Sequence, residues 1–79
     1  MFKLRTLSGA ALWLFHETVA FGGQIRRLRV PSGDVVDTGV PRLDEIPVAL
    51  HKVRLGAFLE LIEAGLVRPV GGAVYEISR

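Results

Sequence analysis

Residues 58–78 read FLELIEAGLVRPVGGAVYEIS, and this stretch decides the fold. An apolar run with helical spacing ends at Gly65, a residue type that suits the position just past the end of a helix. Two short segments rich in β-branched and aromatic residues follow, 66–70 and 73–77, with a Gly-Gly pair between them. Such a pair between two strand-like segments predicts a two-residue β-hairpin. The chain therefore ends in a helix followed directly by a hairpin.

The loop length also predicts which residues face each other in this hairpin. A loop made of Gly71 and Gly72 alone places Arg68 opposite Tyr75, with both side chains on one face. Pro69 has no N–H to donate to a neighbouring strand, so its strand is expected at the edge of a sheet.

The helix that leads into the hairpin is framed by Pro47, which suits a first helical position. From Leu55 onward its apolar and polar residues follow helical spacing. Nearer the start, His51 and Arg54 fall inside the apolar arc of a continuous helix. Either the helix breaks near His51-Lys52, or these two polar groups face a functional partner.

The first half of the chain has the same coarse order. Ser8 caps a helix that ends at Gly22-Gly23, and residues 24–30 read as a strand. A Pro-Ser-Gly-Asp turn at 31–34 leads to a return strand at 35–38. Because neither face of this first hairpin is purely apolar, we expect it to be exposed or at an edge. Residues 1–79 are thus predicted to form a single small α+β domain of order α-β-β-α-β-β.

Composition excludes several classes of protein. The 79 residues include no cysteine, which excludes disulfides, thiolate metal sites and a cysteine nucleophile. No apolar run approaches the roughly 20 residues of a membrane span. Neither histidine has a second ligand at metal spacing, and no serine lies in the setting of a nucleophile. We therefore expect a cytoplasmic protein that is not an enzyme and needs no metal, cofactor or small-molecule substrate.

The arginines are the sharpest feature of the first hairpin. Three of the four residues 26–29 are arginine, in a chain that has eight arginines and two lysines. Guanidinium groups bind phosphates and carboxylates in a fixed, planar geometry. Arg26, Arg27 and Arg29 are therefore predicted to contact nucleic acid or an acidic protein; the alternative is that their charges only protect an edge strand from aggregation.

Residues 43–78 resemble the end of a winged-helix DNA-binding domain. In that family a helix ends in Gly-Leu-Val and passes directly into a two-stranded wing, as Gly65-Leu66-Val67 does here. The resemblance implies a wing at 67–70 and 73–77 and a recognition helix at 53–64, with its groove-facing residues at the N-terminal end. Those residues are His51, Lys52 and Arg54.

Two functions follow as hypotheses. The first is a small winged-helix-like DNA-binding regulator of bacterial or phage origin. The second is a non-catalytic inhibitor or adaptor of a phage or mobile element, of the anti-CRISPR type, that binds an acidic protein surface. The contact residues predicted for either are Arg26, Arg27, Arg29, His51, Lys52, Arg54 and Arg68. A hydrophobic fraction of 49% also predicts surplus apolar surface for a partner or a homodimer, with these candidates: Leu12, Trp13, Phe21, Leu59 and Val74.

Overall fold

The computed structural model describes residues 7–78, so residues 1–6 and 79 of the predicted domain lie outside it. The elements are α1 (Gly9–Ala20), β1 (Gln24–Val30), β2 (Gly33–Asp37), α2 (Val48–Glu63), β3 (Val67–Gly71) and β4 (Val74–Ile77). One turn of 3-10 helix, Leu43–Glu45, lies in the connection before α2. The predicted α+β class and the order α-β-β-α-β-β are confirmed.

The first helix begins and ends where its local sequence predicts. Ser8 is the N-cap, and its Oγ accepts a hydrogen bond from the N–H of Ala11 at 3.1 Å. After Phe21 the chain turns through Gly22, which has a φ of 119°. A side chain with a Cβ rarely adopts that conformation, so the glycine ends the helix.

The second helix runs without interruption from Val48 to Glu63. Of the two alternatives left by the sequence, the break near His51-Lys52 is therefore not the one adopted. Pro47 is the N-cap, just outside the helix, where its missing N–H costs nothing. Gly65, at φ 77°, turns the chain into β3.

The four strands form one antiparallel sheet in the order β2-β1-β4-β3. The expectation that the first hairpin lies at an edge holds for β2 and is wrong for the start of β1. Residues 24–26 of β1 pair with β4 on one side while the strand pairs with β2 on the other. Past Arg27, whose N–H donates to the carbonyl of Ala73, β1 is paired with β2 alone.

The predicted register of the second hairpin is wrong by one residue. Pro69, not Arg68, lies opposite Tyr75, and Arg68 lies opposite Glu76. The cause is an irregularity between Pro69 and Gly71 that adds a residue to β3 and moves the turn toward Ala73. Since a shift of one residue turns every side chain to the other face, Arg68 lies on the side away from Tyr75.

Both helices cover one face of the sheet, and the core lies between the two layers. Phe58 of α2 meets Tyr75 of β4 edge to face, with ring centroids 4.9 Å apart. Edge-to-face packing of this kind stabilises a core beyond the area it buries. The buried apolar cluster comprises Ala11, Leu14, Ile25, Val36, Ala57, Phe58, Leu61 and Val67.

Candidate interaction surface

The two helices lie side by side and antiparallel, and polar contacts link them near both ends of α1. At one end the N–H and hydroxyl of Ser8 donate to the two carboxylate oxygens of Glu60, at 3.0 and 2.7 Å. These hydrogen bonds lower the pKa of Glu60 below its usual value. At the other end Glu17 of α1 binds Arg54 of α2. One face of this helix pair packs on the sheet, and the opposite face, the helix-layer surface, is left outside.

The exposed large apolar side chains belong mostly to the two helices. Within residues 7–78, nine large apolar side chains are exposed, and only Val70 of β3 lies outside the two helices and the residue that caps α1. Trp13 is the extreme case, at 73% exposed. The other exposed members are Leu12, Val19, Phe21, Val48, Leu50, Val53 and Leu59.

Trp13 borders a shallow hollow beside the helix pair. The hollow has a volume of about 370 Å³ and is lined by Trp13, His16, Glu17, Phe21 and Val40. Trp13, Glu17 and Phe21 follow one another at four-residue spacing, which places them on one side of the helix and its cap. The largest exposed ring of the chain therefore lies next to a concave, mostly apolar surface.

Arg54 is not part of any outer surface. It is 8% exposed, and its guanidinium donates two hydrogen bonds to Glu17, at 3.0 and 2.8 Å, and one to the carbonyl of Val36. Thr38 donates its hydroxyl to the same carboxylate. The prediction of a groove-facing Arg54 conflicts with this placement, because a continuous α2 points residue 54 at the sheet.

This buried cluster also determines the charge state of Glu17. Burial by itself raises the pKa of a carboxyl group. Here the hydrogen bonds from Arg54 and Thr38, together with the positive charge of Arg54, outweigh burial and hold the pKa of Glu17 below its usual value. Glu17 is therefore an ionised partner that neutralises Arg54 inside the fold.

The arginines of β1 divide between the two faces of the sheet. Arg27 and Arg29 share one face, and both bind Asp34, with the Nη2 of Arg27 2.8 Å from the carboxylate. Hydrogen bonds from Arg29 and Arg27 lower the pKa of Asp34. Arg26 points to the opposite face, since side chains alternate along a strand. The carboxylate of Asp34 thus neutralises part of the positive charge that was predicted to bind a partner.

The remaining predicted contact residues lie apart from one another. Arg68 is on the outer face of the sheet and binds Glu76 at 2.9 Å. Lys52 is exposed on α2, on the other side of the molecule. His51 is half-buried, lines an open hollow of about 460 Å³ near the start of α2, and has a buried Nδ1 atom with no partner within residues 7–78. The seven predicted residues do not form one surface.

Sequence reasoning found part of the exposed apolar surface. Leu12, Trp13, Phe21 and Leu59 were predicted as surplus apolar residues and are exposed, whereas Val74 is half-buried. The exposed residues of the first half of α2 were missed, because their surroundings depend on how α2 lies against α1. These residues are Val48, Leu50 and Val53.

Residues 7–78 contain no group of three or more His, Asp or Glu side chains placed to hold a metal ion. Over the same residues, neither helix has the length and apolar character needed to cross a membrane. Comparisons with protein-family models, curated proteins and solved structures found no match to this chain.

Proposed function

We propose that this chain is a non-catalytic protein-binding module and that the helix-layer surface binds its partner. The observation that carries the proposal is Trp13, which at 73% is the most exposed large apolar side chain of residues 7–78. Tryptophan is enriched among the residues that contribute most to protein–protein binding. An indole in water gains free energy when a partner buries it.

The surroundings of Trp13 support an interface rather than one stray aromatic residue. An exposed apolar patch on a monomeric protein indicates a binding site. Both helices carry exposed apolar side chains, and the hollow beside Trp13 offers a concave surface for a partner side chain. Apolar contact at the centre and charges at the rim are the usual anatomy of a protein interface.

The sequence-based proposal that arginines bind an acidic partner has weaker support. Arg27 and Arg29 share Asp34, Arg68 has Glu76, and Arg54 is buried against Glu17. Displacing such a partner costs part of the free energy that a new contact supplies. Apolar contacts on the helix-layer surface are therefore the better candidates for affinity.

DNA binding as a winged helix stays a prediction. The uninterrupted α2 lacks the turn that would separate a recognition helix from the helix before it. Duplex binding also depends on basic side chains gathered on one side of a protein. Arg26 and Arg68 lie on the outer face of the sheet, whereas Lys52 lies on the helix layer.

Position-specific photocrosslinking in cells of the source organism tests the proposal. A photoreactive side chain at position 16, beside Trp13, should give crosslinked protein, and one at position 68, on the outer face of the sheet, should not. His16 and Arg68 are both exposed, which makes them a matched pair. Trp13→Ser should abolish the crosslink at position 16 without unfolding the chain, because an exposed ring contributes little to the core.

Two results would speak against the proposal. One is equal crosslinking from positions 16 and 68, which indicates only non-specific contact. The other is binding to random duplex DNA that weakens steeply between 50 and 200 mM salt, as phosphate contacts require. The second result would favour the winged-helix hypothesis instead.

A further inference from the structure

Gly56 lies near the middle of α2 and faces solvent. A Cβ built on it would meet no atom within 4 Å. Glycine is among the least favourable residues for a helix interior, and no turn or neighbouring element of the described fold requires one here. A missing side chain on an outer helix face permits a second helix to approach closely.

The residues around Gly56 form a self-complementary row. Lys52, Gly56, Leu59 and Glu63 are spaced four, three and four residues apart, which places them on one side of α2, and all four are exposed. Neither Lys52 nor Glu63 has an ion-pair partner within residues 7–78. One end of the row is therefore positive, its centre is apolar and its other end is negative.

We propose that a second copy of this chain covers the helix-layer surface, with the two α2 helices packed antiparallel and the two Gly56 residues facing each other across a two-fold axis. This inference rests on the proposed function and names the partner. In a two-fold dimer each contact occurs twice. The helix pair of one copy then packs on the helix pair of the other, between the two sheets, and Trp13 is covered.

Charge decides the direction of the two helices. At a rise of about 1.5 Å per residue, Lys52 lies about 6 Å before Gly56 and Glu63 about 10 Å after it. Antiparallel packing thus brings Lys52 of each copy within about 5 Å, along the axis, of Glu63 of the other, which is within the reach of a lysine side chain. Parallel packing would instead bring lysine beside lysine and glutamate beside glutamate, which is unfavourable.

The size of the face predicts a weak dimer. Helices of 12 and 16 residues are about 18 and 24 Å long and together about 20 Å wide. The outline of this face is thus about 480 Å², which is the size of a small interface. We expect a dissociation constant in the micromolar range, which is measurable with the full chain.

Sedimentation equilibrium from about 5 to 500 μM tests the proposal through charge reversal. Lys52→Glu and Glu63→Lys should each weaken the dimer about tenfold, because each places like charges in both symmetric contacts. The double variant should return to within about twofold of wild type. Arg26→Glu, the same kind of change on the outer face of the sheet, serves as control and should leave dimerisation unchanged.

A steric variant supplies an independent measurement. Gly56→Leu should remove the dimer at 500 μM while helix content, measured by circular dichroism, is kept, because the position is open and leucine favours helix. A wild-type chain that is monomeric at 500 μM would overturn the proposal. So would a dimer that Gly56→Leu and both charge reversals leave unchanged.

These outcomes are distinguishable from failure of the proposed function. If the chain is monomeric but position 16 still crosslinks to another protein, the helix-layer surface is a binding site for a different partner. If Trp13→Ser dissociates the dimer while Gly56→Leu and both charge reversals leave it unchanged, the surface is right and the Gly56-centred geometry is wrong. Loss of both self-association and site-specific crosslinking would contradict both proposals.

Discussion

Replacement of Glu17 by glutamine should destabilise the fold far more than its position near the end of a short outer helix suggests. The carboxylate holds Arg54 through two hydrogen bonds, at 3.0 and 2.8 Å, and accepts a third from Thr38. Their side chains are nearly buried, with Arg54 at 9% and Glu17 at 11% exposed. An amide in place of the carboxylate leaves the guanidinium charge buried without a counter-charge.

The expected magnitude follows from the burial of this pair. Removing one member of a buried ion pair costs about 3–5 kcal/mol, and the amide oxygen retains one acceptor, so we expect a loss of about 3 kcal/mol. At about 0.05–0.15 kcal/mol per residue, a domain of this size has only about 4–12 kcal/mol of stability. Urea denaturation at neutral pH should show the loss as a midpoint shift of about 2–3 M.

Two further variants make the result interpretable. Glu76→Gln removes the same charge from the exposed pair with Arg68 and should cost less than about 1 kcal/mol. Replacing the whole buried cluster by apolar residues, as Glu17→Met with Arg54→Met and Thr38→Val, should recover most of the lost stability. Equal losses from Glu17→Gln and Glu76→Gln would refute the reasoning.

Three other predictions concern pH, capping and the arginines. The pKa of Glu17 is lowered in the folded chain. Its contribution to the free energy of unfolding is therefore complete above its ordinary pKa of 4.5 and is lost as pH falls through the lowered value. The stability difference between wild type and Glu17→Gln, measured by urea denaturation at each pH, should shrink below pH 4.5. Ser8→Ala removes the cap of α1 and a bond to Glu60 and should cost about 1 kcal/mol, seen as a fall of roughly 4–8 °C in Tm. Changing Arg26, Arg27 and Arg29 together to serine should leave crosslinking from position 16 unchanged. A loss of that crosslink would indicate that the arginines contact the partner.

Local sequence signals predicted much of the fold. Ser8, Pro47 and Gly65 act through backbone conformation or a hydrogen bond within one turn, and each marks the helix end that it was expected to mark. The order of helices and strands follows from such signals, since each depends only on neighbouring residues.

The errors came from interactions between residues far apart in the chain. The register of the second hairpin depends on an irregularity within β3 that the two-glycine sequence does not predict. Arg54 looked like a contact residue because its partner, Glu17, lies 37 positions away in another helix. A charged residue inside the apolar arc of α2 was the available signal, and pairing it with the lone acid of α1 would have found the buried pair.

Exposure of Trp13 is the most direct test of the claim that the helix-layer surface binds protein. The chain has one tryptophan, so its emission and its quenching by acrylamide report on this residue alone. We predict a quenchable, red-shifted indole at low micromolar concentration, and a blue-shifted, protected one at hundreds of micromolar or in a complex crosslinked through position 16. An indole that stays equally quenchable at every concentration and in that complex would contradict the account.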